Sequence, residues 1–139
     1  MRIWHQWSGV LDPPSEYHQA LEAHIRNVAG EGVTVDFHGV EPRWIEKILA
    51  AVPKDAPNTR HGFNYVWSLH REGLVHGALE AEAEGYDAFF ISMINDAGFE
   101  EIRSLLKIPV IAYTQSSMLF AATLGQPIGF VTFVEAAEE

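Results

Sequence analysis

Residues Tyr86–Met93, YDAFFISM, form a near-continuous apolar run. A helical pattern closed by Gly85 lies before it, and the polar stretch INDAG lies after it. So short an apolar run between turn signals is the mark of a strand covered on both faces. Such strands pair in parallel, and parallel pairs need helical crossovers. The rest of the chain supplies them, because strand and helix patterns alternate throughout. RIWHQW opens as a strand ending near Ser8. PPSEYHQALEAHIRNVAG then offers Ser15 as N-cap, apolar spacing at Tyr17, Leu21, Ile25 and Val28, and Gly30 as terminator. VTVDFHG alternates Val33, Val35 and Phe37 on one face. PRWIEKILAAV carries Trp44, Ile45, Ile48, Leu49 and Val52 at helical spacing, so Trp44 reads as packing.

An irregular loop is expected over Pro53–Phe63, then a long helix from about Tyr65 to Glu84, on which Trp67 also reads as packing. GFEEIRSLL is a short amphipathic helix with Phe99, Ile102 and Leu106 inward; IPVIAYT is a strand, SSMLFAATLG a helix and PIGFVTF a fifth strand. The expected fold is therefore α/β, an open parallel sheet of about five strands with helices on both faces. No fixed-period repeat and no linker divides residues 1–139, which read as a single domain. The last strand is followed only by VEAAEE. A parallel strand with a bare face seeks a partner, so a homo-oligomer, most simply a dimer, is expected.

Charge narrows the partners. The chain carries 19 acidic against 9 basic residues, a formal charge of -10. Such a surface repels phosphate backbones and anionic lipids, so neither nucleic acid nor membrane is an expected partner. The N-terminal MRIWHQWSGV lacks a signal-peptide pattern, and a cytoplasmic location is expected. There are no cysteines, which removes disulfides, thiolate metal sites and thiol nucleophiles. The histidines show no metal-ligand spacing, GxGxxG and GxSxG are both missing, and neither metal nor cofactor is expected.

In an open parallel sheet the loops leaving the carboxyl ends of the strands line the ligand crevice. Three such loops here are polar: His5–Ser8, Ser92–Asp96 and Thr114–Ser117. Gln6, Ser8, Asn95, Gln115, Ser116 and Ser117 offer neutral donors, and Ser116 or Ser117 would cap the last helix, whose amides attract anions. That set suits a small carboxylate-bearing molecule. Ser and Asp also cap helices and close turns with no ligand present. His5 and His38 end strands and are open to either an acid–base or a structural role.

RIWHQ, then LEAEAEGYDAFFIS running into NDAGFEEIRSLLKIPVIAY, then AATLGQPIGFVTF, together resemble the aspartate/glutamate/hydantoin racemase family. The resemblance runs from Arg2 to Phe133. It implies a flavodoxin-like lobe, with residues 1–139 matching the first lobe and the start of the second in a two-lobed protein. It implies a cofactor-independent isomerase acting on a carboxylate or hydantoin-type molecule, with one cysteine per lobe moving a proton at the substrate's α-carbon. By position the first cysteine falls on Met93, a side chain with no proton to exchange. With no cysteine in residues 1–139 the two-thiol reaction is closed to this chain alone, leaving Asp96 and His5 as candidate bases. The family's substrate contacts fall on Gln6, Ser8, Gln115, Ser116 and Ser117, with Asn95 and Asp96 beside Met93. Three readings follow: an isomerase-family protein without its thiols, a non-catalytic, self-associating module that keeps the ligand site, or a non-thiol lyase or hydrolase, which no motif supports.

Overall fold

The computed structural model describes residues 1–52, 64–125 and 127–129. Four parallel strands make one sheet among them: β1 (Arg2–Gln6), β2 (Thr34–His38), β3 (Ala88–Ile91) and β4 (Val110–Ala112), in the order β2-β1-β3-β4. Five helices are described with them: α1 (Glu16–Ala29), α2 (Pro42–Ala51), α3 (Asn64–Ala83) and α4 (Phe99–Leu105) lie between the strands, and α5 (Tyr113–Thr123) follows β4. The expected α/β architecture holds, with four described strands in place of about five. Of the expected fifth strand only residues 127–129 are described, and they join no ladder; its remainder and the loop expected at Pro53–Phe63 lie outside the described residues. No described helix is long and apolar enough to cross a membrane.

The register sets the layers. Ile3 pairs with Val35 and Ala88, and His5 with Phe37 and Phe90, so these residues share one side of the sheet. Trp4, Gln6, Phe89 and Ile91 share the other, where α3 and α4 pack. The main core lies on that side: Trp4, Leu74, Ala78, Phe89, Ile91 and Ile102 are all buried there, with Val40 and Trp44 at its margin. The run YDAFFISM thus supplies an interior strand with Phe89 wholly buried and Phe90 only half so.

Local signals explain where the elements stop. Ser15 caps α1, accepting from the His18 amide at 3.4 Å. Pro42 starts α2 at a position that needs no donor. At the end of α3, Gly85 takes a left-handed φ of 76° while Tyr86 N bonds Ala81 O at 3.0 Å and Gly85 N bonds Glu82 O at 3.1 Å. This paired closure is the Schellman motif that only glycine adopts without strain. Gly77 answers a different need, since a Cβ there would run into Gln6 Oε1. Glu82, within an acidic run, is more than a solvated charge: its Oε1 accepts from the amides of Lys107 at 2.6 Å and Ile108 at 3.2 Å, fixing the entry to β4.

Two helices pack less than their patterns promise. No residue of α1 is buried, and Tyr17 and Val28 are 62% and 63% exposed, so two of its four expected inward positions face solvent. None of α5 is buried either, with Leu119, Phe120 and Leu124 outward.

Candidate functional site

The loop after β3 is built around one unusual residue. Asp96 adopts a left-handed φ of 47°, tolerable for Asp where most side chains would clash. Its amide closes a turn onto Met93 O at 3.1 Å, and its carbonyl accepts from the Phe99 amide at 3.1 Å, which leads into α4. The side chain then reaches across to α5. Oδ1 accepts from Thr114 N at 2.8 Å and Oδ2 from Gln115 N at 2.7 Å, while the Thr114 hydroxyl donates to Ile94 O. A carboxylate against the first free amides of a helix is favoured by both hydrogen bonding and the helix dipole.

This geometry corrects two expectations. Ser116 and Ser117 do not cap the last helix, because α5 begins at Tyr113 directly after β4 and both serines lie inside it. Ser117 Oγ donates back to Tyr113 O at 2.7 Å. The anion seat at the start of that helix is filled by the chain's own Asp96.

Beside this latch lies a cleft of about 480 Å³ whose lining includes Asn95, Asp96 and Gln115 from the sequence candidates, with Trp67, Arg71 and Glu101. Trp67, expected in the core, is half-buried along this cleft, while Trp44 is buried as expected. Arg71 Nη1 stands 3.4 Å from Glu101 Oε1, and its Nε 3.4 Å from Trp67 O. Sequence reasoning missed Arg71. The available signal was the i, i+4 spacing of Trp67 and Arg71, which puts an aromatic ring and a guanidinium on one helix face.

The other candidates lie outside the lining. Gln6 is 1% exposed, with Oε1 accepting from Trp4 Nε1 at 2.8 Å and Nε2 donating to Trp7 O at 2.9 Å. Its amide is engaged at both ends by the chain itself. Ser8 is half-buried in the bend after β1. Met93 packs partly buried against the main core. His5 is 3% exposed between the rings of Phe37 and Phe90, and neither ring nitrogen has a hydrogen-bond partner among the described residues. Burial holds its pKa down to about 4, from the usual 6.5. A neutral imidazole sealed in this way does not reach the cleft.

A second polar group forms beside β2. Tyr86 donates to Asp36 Oδ2 at 2.9 Å, His38 Nε2 lies 3.3 Å from that hydroxyl, and Arg2 sits over the Tyr86 ring at 4.1 Å. Burial lowers the His38 pKa and raises that of Tyr86. Its members bond one another and lie outside the lining of the cleft, which is the pattern of a structural network. Among the described residues, no group of three His, Asp or Glu side chains is placed to hold a metal ion.

Compared with known families, residues 15–139 match the family described as Asp/Glu/Hydantoin racemase. No curated protein matches the chain.

Proposed function

The chain belongs to the Asp/Glu/hydantoin racemase family, and from that premise we propose that its cleft binds a small molecule of carboxylate or hydantoin type. The observation that carries this reading is the meeting of Asn95, Asp96 and Gln115, from two separate strand-end segments, around one cavity. Asn95 and Gln115 bring neutral donors and acceptors. Trp67 brings apolar surface, and Asp96 holds the two segments in place. Any chemistry in residues 1–139 proceeds without a thiol, since there is no cysteine and Met93 offers no exchangeable proton.

Two measurements test the reading. Calorimetric titration with hydantoin and with amino acids is expected to give saturable binding that Asn95→Ala together with Gln115→Ala weakens. Incubation of the same compounds in deuterated water is expected to give no α-proton exchange above the uncatalysed rate. Binding unchanged in the double variant refutes the cleft as the site, and sustained exchange refutes the loss of proton transfer.

A second reading, self-association, draws on α5. Leu119 and Phe120 of α5, a helix with no buried residue, and Leu124 just past its end are 65%, 69% and 62% exposed. Contiguous apolar surface of this kind favours association. Light scattering is expected to show a dimer, and a monomer at high concentration refutes this reading.

A further inference from the structure

The charges around the cleft are unequal in number and in freedom. Among the described residues of its lining, Arg71 is the only cation, while Asp96, Glu100 and Glu101 are the carboxylates. Asp96 is committed to the α5 amides. Glu100 makes no ion pair among the described residues. Arg71 and Glu101 meet at a long 3.4 Å with side chains 44% and 50% exposed, the kind of contact that contributes little and exchanges readily. Only Nε and Nη1 of the guanidinium are engaged among the described residues. The rest of that planar fork remains for an anion, and carboxylate is the group it fits best.

Resting on the ligand role proposed above, we infer that Arg71 takes the ligand's carboxylate and that Glu101 is the resident counter-ion the ligand displaces. The same arrangement fixes the substrate class as a monocarboxylate. A second carboxylate in the cleft would face Glu100 and Glu101 with no second cation to answer it among the described lining residues, and like charges so placed discriminate against the wrong ligand. An amino acid with an apolar side chain suits Arg71, Glu100 and Trp67 together. Its carboxylate meets Arg71, its ammonium faces Glu100, and its side chain lies against Trp67.

Titration of L-leucine, L-glutamate and hydantoin into the wild type, Arg71→Gln and Glu101→Gln tests the assignment. The wild type is expected to bind L-leucine at least about tenfold more tightly than L-glutamate. Arg71→Gln is expected to weaken L-leucine about tenfold or more and to leave hydantoin, which has no carboxylate, unchanged. Glu101→Gln is expected to act in the opposite direction, tightening L-leucine and narrowing its advantage over L-glutamate. Opposite signs from the two halves of one ion pair are not a consequence of partial unfolding. L-glutamate binding as tightly as L-leucine, or Glu101→Gln weakening L-leucine, overturns the inference. Hydantoin binding without either amino acid overturns it while the ligand site stands; no binding by any of the three removes both.

Discussion

His5 and Gln6 are consecutive residues of β1 that point to opposite sides of the sheet, and the two sides treat a buried polar group differently. On the α3 side, Gln6 has both ends of its amide partnered and sits against Gly77, whose missing side chain leaves room for it. On the other side, His5 lies between two phenylalanine rings with neither nitrogen bonded among the described residues. Packing differs in the same sense. The α3 side holds the main cluster, including Phe89, Ile91, Leu74 and Ile102, whereas α1 contributes no buried residue at all. One side is a finished core, and the other is more thinly covered among the described residues. Stability is therefore concentrated on the side that also carries the cleft, through Trp67 and Arg71 of α3.

The strongest way to break this contrast is to truncate neighbours in β3. Phe89→Ala is expected to cost about 3–5 kcal/mol, as for fully buried aromatics. Phe90→Ala, half-buried on the opposite side, is expected to cost about 1–2 kcal/mol. Urea unfolding of both variants checks the difference, and equal losses would show the two sides to be equally packed.

Acid should act on the weaker side. The folded protein holds the His5 pKa near 4, while the unfolded chain titrates near 6.5. Below 6.5 the unfolded state therefore binds a proton that the folded state refuses. This contribution to stability is complete above pH 6.5 and falls as pH drops toward 4, by up to about 3 kcal/mol. Urea midpoints measured across that range should show the decline, and His5→Leu should reduce it, leaving the smaller part due to His38, whose pKa burial also lowers. A profile unchanged by His5→Leu would assign the decline to other groups.

At neutral pH the two polar residues can be compared directly. Gln6→Leu is expected to cost about 1–3 kcal/mol, because it strands the buried Trp4 indole N–H. His5→Leu is expected to be neutral or to stabilise by up to about 1 kcal/mol, because it removes two unsatisfied atoms and strands none. Thermal unfolding of the pair gives the comparison, and a reversed order would contradict it.

Much of the fold was legible because it rests on local pattern. Ser15, Gly30, Gly85 and the run YDAFFISM mark element ends and an interior strand through backbone chemistry that needs no tertiary knowledge. The site was legible only in part. That Asn95, Asp96 and Gln115 meet at one cleft follows from topology, which gathers strand-end loops along one edge of the sheet. The capping role assigned to Ser116 and Ser117 failed because a helix can begin directly at a strand's end and borrow its cap from a loop eighteen residues earlier in the chain, as α5 does from Asp96. Gln6 looked available because sequence shows donors and not whether they are already engaged. Arg71 was invisible for the converse reason: its place in the cleft depends on α3 lying beside Glu101, thirty residues along the chain.

The bonds from Asp96 to Thr114 and Gln115 also equip the protein with an internal gauge. Amides in the first turn of a helix ordinarily trade their hydrogens freely with water, yet these two are held at 2.8 and 2.7 Å by a side chain from the cleft wall. Their exchange rates consequently report how often loop and helix part company. Asp96→Ala should release both amides at once and leave those buried in β1 and β3 protected. A bound ligand that steadies the cleft should slow the same two amides together, so that occupancy can be followed without any label on the ligand.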